Sequence, residues 1–137
     1  MAHRGTACAI RGLLSSCGAE VQGTCVYCGR AFCKDHGVVL PNGEEVCSRK
    51  NCVAKRDDLA RHLEYKDAVL LRNRQRLCGI ESCGNEFAGQ CARCKGYFCK
   101  KHAVISDDPA LEAEVPIGHL AHVCKHCQAR RAIWLKE

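Results

Sequence analysis

The chain has 137 residues, 14 of them cysteine, with 26% charged residues and a formal net charge of +6. No run approaches the roughly 18 consecutive apolar residues that a membrane-spanning helix needs, and dense cysteines in a regular pattern do not suit a disordered chain. Met1–Ile10 carries His3 and Arg4 but no apolar stretch of a secretory leader; a cytoplasmic, reducing setting is therefore expected, in which cysteines serve as metal ligands rather than disulfides.

In chain order, residues 1–52 form a first cysteine-rich module. Within it Val38–Val46 reads as a hairpin turned by Pro41-Asn42-Gly43. Residues 53–77 read as one long helix, without Gly or Pro and with leucines at Leu59, Leu63, Leu70 and Leu77. Residues 78–137 form a second module. There Ser106–Leu120, with two prolines and Asp107/Asp108, reads as a longer acidic loop, and Gln128–Lys136 as a short closing helix. Large apolar side chains make up about a quarter of the chain, thin for one core and thinner for two, so the modules need staples.

The staples are visible in an internal repeat. Residues 16–36 match residues 82–102 at 11 of 21 positions without a gap. The matches include Cys17/Cys83, Cys25/Cys91, Cys28/Cys94, Phe32/Phe98, Cys33/Cys99 and His36/His102. Upstream, Cys8 answers to Cys78; downstream, Cys47 answers to Cys124 and Cys52 to Cys127. Each module so holds eight candidate ligands in four pairs. The first has Cys8/Cys17, Cys25/Cys28, Cys33/His36 and Cys47/Cys52. The second has Cys78/Cys83, Cys91/Cys94, Cys99/His102 and Cys124/Cys127. Zinc prefers four tetrahedral Cys and His ligands, so eight serve two ions and the chain is expected to bind four Zn2+. Every cysteine is used. Zinc-bound cysteines are thiolates, and fourteen of them with four dications cancel the formal +6, so the basic balance says little about partners.

Two groupings are open. In a cross-brace, pairs one and three share one ion and pairs two and four the other; in a sequential arrangement neighbouring pairs share. The four residues between Cys28 and Cys33, and between Cys94 and Cys99, suit a β-turn that sends adjacent pairs to different ions, which favours the cross-brace. His119 and His122 lie close enough to Cys124 to compete with Cys127 for the last position.

The run C-x7-C-x2-C-x4-C-x2-H at Cys17–His36 and Cys83–His102, with an aromatic before Cys33 and Cys99, resembles the AN1-type and B-box zinc fingers. The C-x4-C start at Cys78 and Cys83 is nearest to AN1. His122-Val123-Cys124 resembles the AN1 closing His-x-Cys, whereas Glu45 holds the equivalent place in the first repeat. The wide Cys8/Cys17 and Cys47/Cys52 spacings and the long Ala103–Val123 segment depart from both patterns. The resemblance implies treble-clef-like cross-brace ββα modules used for protein contacts, often in ubiquitin-linked pathways. The expected fold is therefore a small, zinc-stabilised α+β chain of two tandem modules joined by a long helix.

The expected function is a non-catalytic adaptor that binds another protein, with a ubiquitin-ligase-like scaffold as its variant. Ile80 and Arg130 sit where such contacts are made. No cysteine is left over as a nucleophile, no Ser-His-Asp arrangement stands out, and four-ligand shells leave no open position for water; no enzyme activity or small-molecule substrate is expected. The alternative is nucleic-acid binding through Arg49–Arg76, where nine Lys/Arg outnumber four Asp/Glu. The Leu63/Leu70/Leu77 stripe is expected to pack the helix onto the modules, with a dimer seam as its alternative. His62 is expected to be exposed, Trp134 to anchor a helix face, and Ala31, Phe32, Tyr97 and Phe98 to form the cores beside the turns.

Overall fold

The computed structural model describes residues 7–10, 17–106 and 108–136. It is a small α+β protein of short hairpins and helices. The chain divides into two compact units, Met1–Leu59 with Ile133–Glu137, and Ala60–Ala132. The division falls inside the long helix.

In the first unit, β1 (Gly23–Thr24) pairs antiparallel with β2 (Ala31–Phe32), and β3 (Gly37–Val39) with β4 (Glu45–Cys47). The β3–β4 turn is the expected one. Asn42 Oδ1 accepts a bond from the Glu44 N–H at 3.0 Å, and Gly43 takes φ +88°, a conformation open to glycine. A further bridge joins Ala7 to Glu20. The helix α1 (Lys50–Arg74) begins here. Its start lies three residues before the expected Val53, so Cys52 stands in the first turn.

The second unit has the same order. A bridge joins Leu77 to Glu86; β5 (Gly89–Gln90) pairs with β6 (Tyr97–Phe98), and β7 (Ala103–Ile105) with β8 (His122–Cys124). Gly89 opposes Phe98 as Gly23 opposes Phe32, and Ala103 opposes Cys124 as Gly37 opposes Cys47. The helix α3 (Lys125–Leu135) begins three residues before the expected Gln128 and carries Cys127. The acidic loop holds one extra turn, α2 (Pro109–Glu112), whose Leu111 is 1% exposed. Asp108 caps it, accepting from the Ala110 N–H at 3.0 Å, and is itself held by Arg93 at 2.5 Å and Arg131 at 3.8 Å. The first cause of its lowered carboxyl pKa is the Arg93 bond.

Both cores are built largely of cysteine. Phe32, Val46 and Ile10 share the first core with Cys8, Cys25, Cys33, Cys47 and Cys52. Phe98, Val69, Leu111 and Val123 share the second with Cys78, Cys91, Cys99, Cys124 and Cys127. In the second unit α1 packs through His62, Tyr65 and Val69, with His62 and Val69 buried. This corrects two expectations. Leu63 and Leu70 are exposed, at 56% and 52%, so the packing stripe is not the leucine one. His62 is buried at 9%, its Nδ1 lying 3.0 Å from His126 Nε2 with the rings stacked. Tyr65 also stacks on His126, with ring centroids 3.8 Å apart. In the first unit Trp134 meets Tyr27 edge-on and donates from Nε1 to Asp58 Oδ2 at 2.7 Å, which fits the expected anchoring role. Among the described residues no helix is long and apolar enough to cross a membrane.

Candidate metal centres

The structure gathers the sixteen Cys and His residues into four groups of four: Cys8, Cys17, Cys33 and His36; Cys25, Cys28, Cys47 and Cys52; Cys78, Cys83, Cys99 and His102; and Cys91, Cys94, Cys124 and Cys127. Within each, the ligand atoms lie within 4.8 Å of one another, a geometry that can hold a metal ion. The pairs interleave, first with third and second with fourth, in both units. Cys127 occupies the last position of its group; His119 and His122 lie outside it.

Local structure makes this interleaving. The Cys25–Cys28 segment is a turn closed by the Gly29 N–H on Cys25 O at 2.9 Å, and the Cys25 N–H reaches Arg30 O at 2.9 Å. The β2 strand then carries the chain away before Cys33, whose carbonyl accepts from the His36 N–H at 3.0 Å. The second unit repeats these bonds: Lys95 N–H on Cys91 O at 3.0 Å, Cys91 N–H on Gly96 O at 2.8 Å, and His102 N–H on Cys99 O at 3.1 Å. The residue after each turn lies in the left-handed region, Gly29 at φ +74° and Lys95 at φ 64°.

Distances within the groups distinguish metal ligands from disulfides. A tetrahedral ion with bonds of about 2.3 Å to sulfur sets sulfurs about 3.8 Å apart, and sulfur to imidazole nitrogen about 3.5 Å; a disulfide needs about 2.05 Å. The Sγ–Sγ separations are 3.9 Å for Cys17–Cys33, 3.7 Å for Cys28–Cys47, 3.9 Å for Cys83–Cys99 and 4.0 Å for Cys94–Cys124. His36 Nδ1 lies 3.5 Å from Cys8 Sγ and 3.3 Å from Cys33 Sγ; His102 Nδ1 lies 3.4 Å from Cys78 Sγ and 3.2 Å from Cys99 Sγ. All fourteen cysteines are free of disulfide bonds.

The electrostatics also call for a cation. Thiols this close cannot all ionise against one another, and each group splits into raised and lowered members. Burial pushes Cys47 and Cys52 up, the latter to about 11. Burial also opposes ionisation of Cys28, but the Arg30 backbone and the Arg49 side chain outweigh it and bring the thiol to about 6. In the second mixed group Cys99 falls to about 6, because backbone bonds at Lys101 and His102 outweigh burial. A dication within a group would let all its thiols ionise together.

Buried polar atoms around the groups fit anionic sulfur. Arg49 Nη1 is buried without an oxygen partner beside Cys28, and Tyr65 Oη likewise beside Cys124. Burial first, and then the Cys124 sulfur, raise the Tyr65 phenol, leaving its proton available for an O–H···S contact. The Cys127 N–H, at the start of α3, points at Cys124 Sγ at 3.5 Å, and the Gly96 N–H at Cys94 Sγ at 3.4 Å. Helix starts beside thiolates are favourable because their free N–H groups and dipole face negative charge. The donor set therefore fits zinc.

The supporting residues were not readable from spacing. Arg72 donates from Nε to Cys78 O at 2.8 Å and from Nη2 to Cys83 O, and Asn73 binds Leu77 O at 3.0 Å and exchanges bonds with Tyr97. Asn85 Nδ2 points at Cys99 Sγ at 3.9 Å. Only Asn85 left a trace in the sequence, as a difference from Ala19 at the matching place of the repeat. Comparison with family models, curated proteins and solved structures yields no match.

Proposed function

We propose that the chain is a non-catalytic zinc protein, with two cross-brace modules of the AN1 and B-box kind acting as an adaptor for another protein in the cytoplasm. Four interleaved groups of four ligands carry this reading. Zinc supplies crosslinking rather than chemistry here, because a shell filled by four protein ligands has no position for a substrate or a water nucleophile. The hairpins become rigid platforms. Apolar side chains stand exposed on each: Val26, Val38 and Val39 in the first unit, Ile105, Ile117 and Leu120 in the second. A partner related to ubiquitin conjugation remains the finer form of the proposal.

The adaptor reading is preferred to nucleic-acid binding because several of the basic residues are already engaged. Arg49 lies beside Cys28, Lys55 is 8% exposed and Arg72 binds two carbonyls, while Arg56 pairs with Asp57 at 3.3 Å. Fluorescence anisotropy with labelled duplex DNA and single-stranded RNA tests the choice. Little binding at micromolar protein supports the adaptor. Micromolar binding that weakens steeply between 50 and 200 mM salt would favour the alternative, since each phosphate contact releases counterions. Chelation tests the structural role, because each site contributes on the order of 10 kcal/mol in small zinc domains. Both units should lose amide dispersion when metal is removed; full retention would contradict a structural metal.

A further inference from the structure

The two mixed groups of three cysteines and a histidine are protected to different degrees. In the second unit Cys83 is half-buried, Arg72 braces the carbonyls on both sides of the Cys78–Cys83 turn, and Asn85 directs an N–H at Cys99 Sγ. An N–H···S bond draws charge from a thiolate and makes it a poorer nucleophile, while an outer contact of this kind also holds the ligand in place. In the first unit the place of Asn85 is taken by Ala19, whose methyl donates nothing. Cys17 itself is exposed, whereas its partners Cys8 and Cys33 are buried, at 1% and 2%. Cys33 Sγ lies 3.9 Å from Cys17 Sγ, within reach once the metal no longer holds the two apart.

Resting on the zinc reading above, we propose that Cys17 is a reversible oxidation site for hydroperoxides, with Cys33 as its resolving thiol, and that its reaction discharges the metal of the first mixed group while the other three stay loaded. The Cys17 thiolate attacks one peroxide oxygen; an S–O bond forms, the O–O bond breaks and hydroxide leaves. The Cys33 thiolate then attacks the Cys17 sulfur, forming the S–S bond and expelling a second hydroxide. Two protons from solvent convert the hydroxides into water, and the two electrons lost by the thiolates have reduced one peroxide. Cys8 and His36 remain as two ligands, too few to retain the ion. Accessible thiolates stand first on the oxidation ladder, and the disulfide returns to thiolates with a dithiol reductant.

The test uses the full-length metal-loaded protein. Elemental analysis before oxidation should give about four zinc per chain; about two would overturn the zinc reading itself. Hydrogen peroxide is then added with a chromogenic zinc indicator, and the thiols are mapped by differential alkylation and mass spectrometry. One equivalent of zinc should leave about 10-fold faster than the other three, the scale on which outer contacts act, and a Cys17–Cys33 disulfide should appear in step with it. Ala19→Asn, which supplies the missing donor and leaves every ligand in place, should slow that phase several-fold. Asn85→Ala should bring forward the loss from Cys78, Cys83, Cys99 and His102. With four zinc present at the start, first oxidation at Cys83 or in an all-cysteine group, or simultaneous loss of all four ions, would overturn the proposal.

Discussion

The tightest contact between α1 and a ligand turn lies at Gly96, and it gives a quantitative test of how the second unit is assembled. A Cβ built on Gly96 would stand 2.6 Å from Val69 Cγ1, with Phe98 ring carbons at 3.1 and 3.3 Å. Carbon pairs rest near 3.5–4.0 Å, so Gly96→Ala forces a shift of about 1 Å at a side chain that is 3% exposed, a cost of about 1–3 kcal/mol. Gly96 has no positive φ, so the effect is steric rather than conformational. Val69→Ala alone removes two buried methyl groups, at about 2 kcal/mol. In the double variant the clash with Cγ1 is gone and the new methyl enters the vacated space. The two changes should therefore cost about 2 kcal/mol together rather than about 4, a coupling of about 2 kcal/mol. Thermal unfolding of the zinc-loaded protein, at one fixed free-zinc concentration so that metal linkage is constant, reads this as a Tm loss of about 4–8 °C per kcal/mol. Additivity within 0.5 kcal/mol, or a harmless Gly96→Ala, would refute the packing described.

Lys95 sits at φ 64° where the first unit has Gly29, so Lys95→Gly should raise stability by up to about 1 kcal/mol in the same melt; a loss of stability would contradict the strain. Arg72→Ala should cost about 1.5–3 kcal/mol, because it strands the Cys78 and Cys83 carbonyls, and hydrogen exchange should rise first in Cys78–Asn85; unchanged exchange there would contradict the brace. Asp108 holds a carboxyl pKa below its ordinary 3.8, chiefly through Arg93, so its contribution is present above that value and lost as pH falls below it. Asp108→Asn should accordingly be less stable than the parent at pH 7 and converge on it in acid; a gap that widens in acid would show the sign to be wrong.

The ligand pairs were legible because a C-x2-C turn and a Cys-x2-His turn are local, and because the repeat showed every pair twice. The interleaving followed from a short fixed gap, which geometry alone could favour. What escaped was long-range. The sequence marked Leu63 and Leu70 by hydrophobicity, yet the helix face in use carries His62 and Tyr65, since aromatic stacking with His126 and a phenol beside Cys124 outweigh aliphatic area in a core built of thiols. Both helices start earlier than propensity suggests, and so carry Cys52 and Cys127 in their first turns; in α3 the Cys127 N–H faces the Cys124 sulfur. The Asp108 clamp joins residues 15 and 23 positions away, beyond any local pattern.

The claim on which all else depends is that sixteen residues form four metal shells with interleaved ligands. Cadmium-113 NMR on the fully substituted protein measures this directly, through couplings from each ion to the β-protons of its cysteines. Four resonances are expected, two with four cysteines and two with three. Cys8, Cys17 and Cys33 should share one ion and Cys25, Cys28, Cys47 and Cys52 another, with the same pattern in the second unit. Fewer than four bound ions, or couplings from one ion to both Cys8 and Cys25, would contradict it.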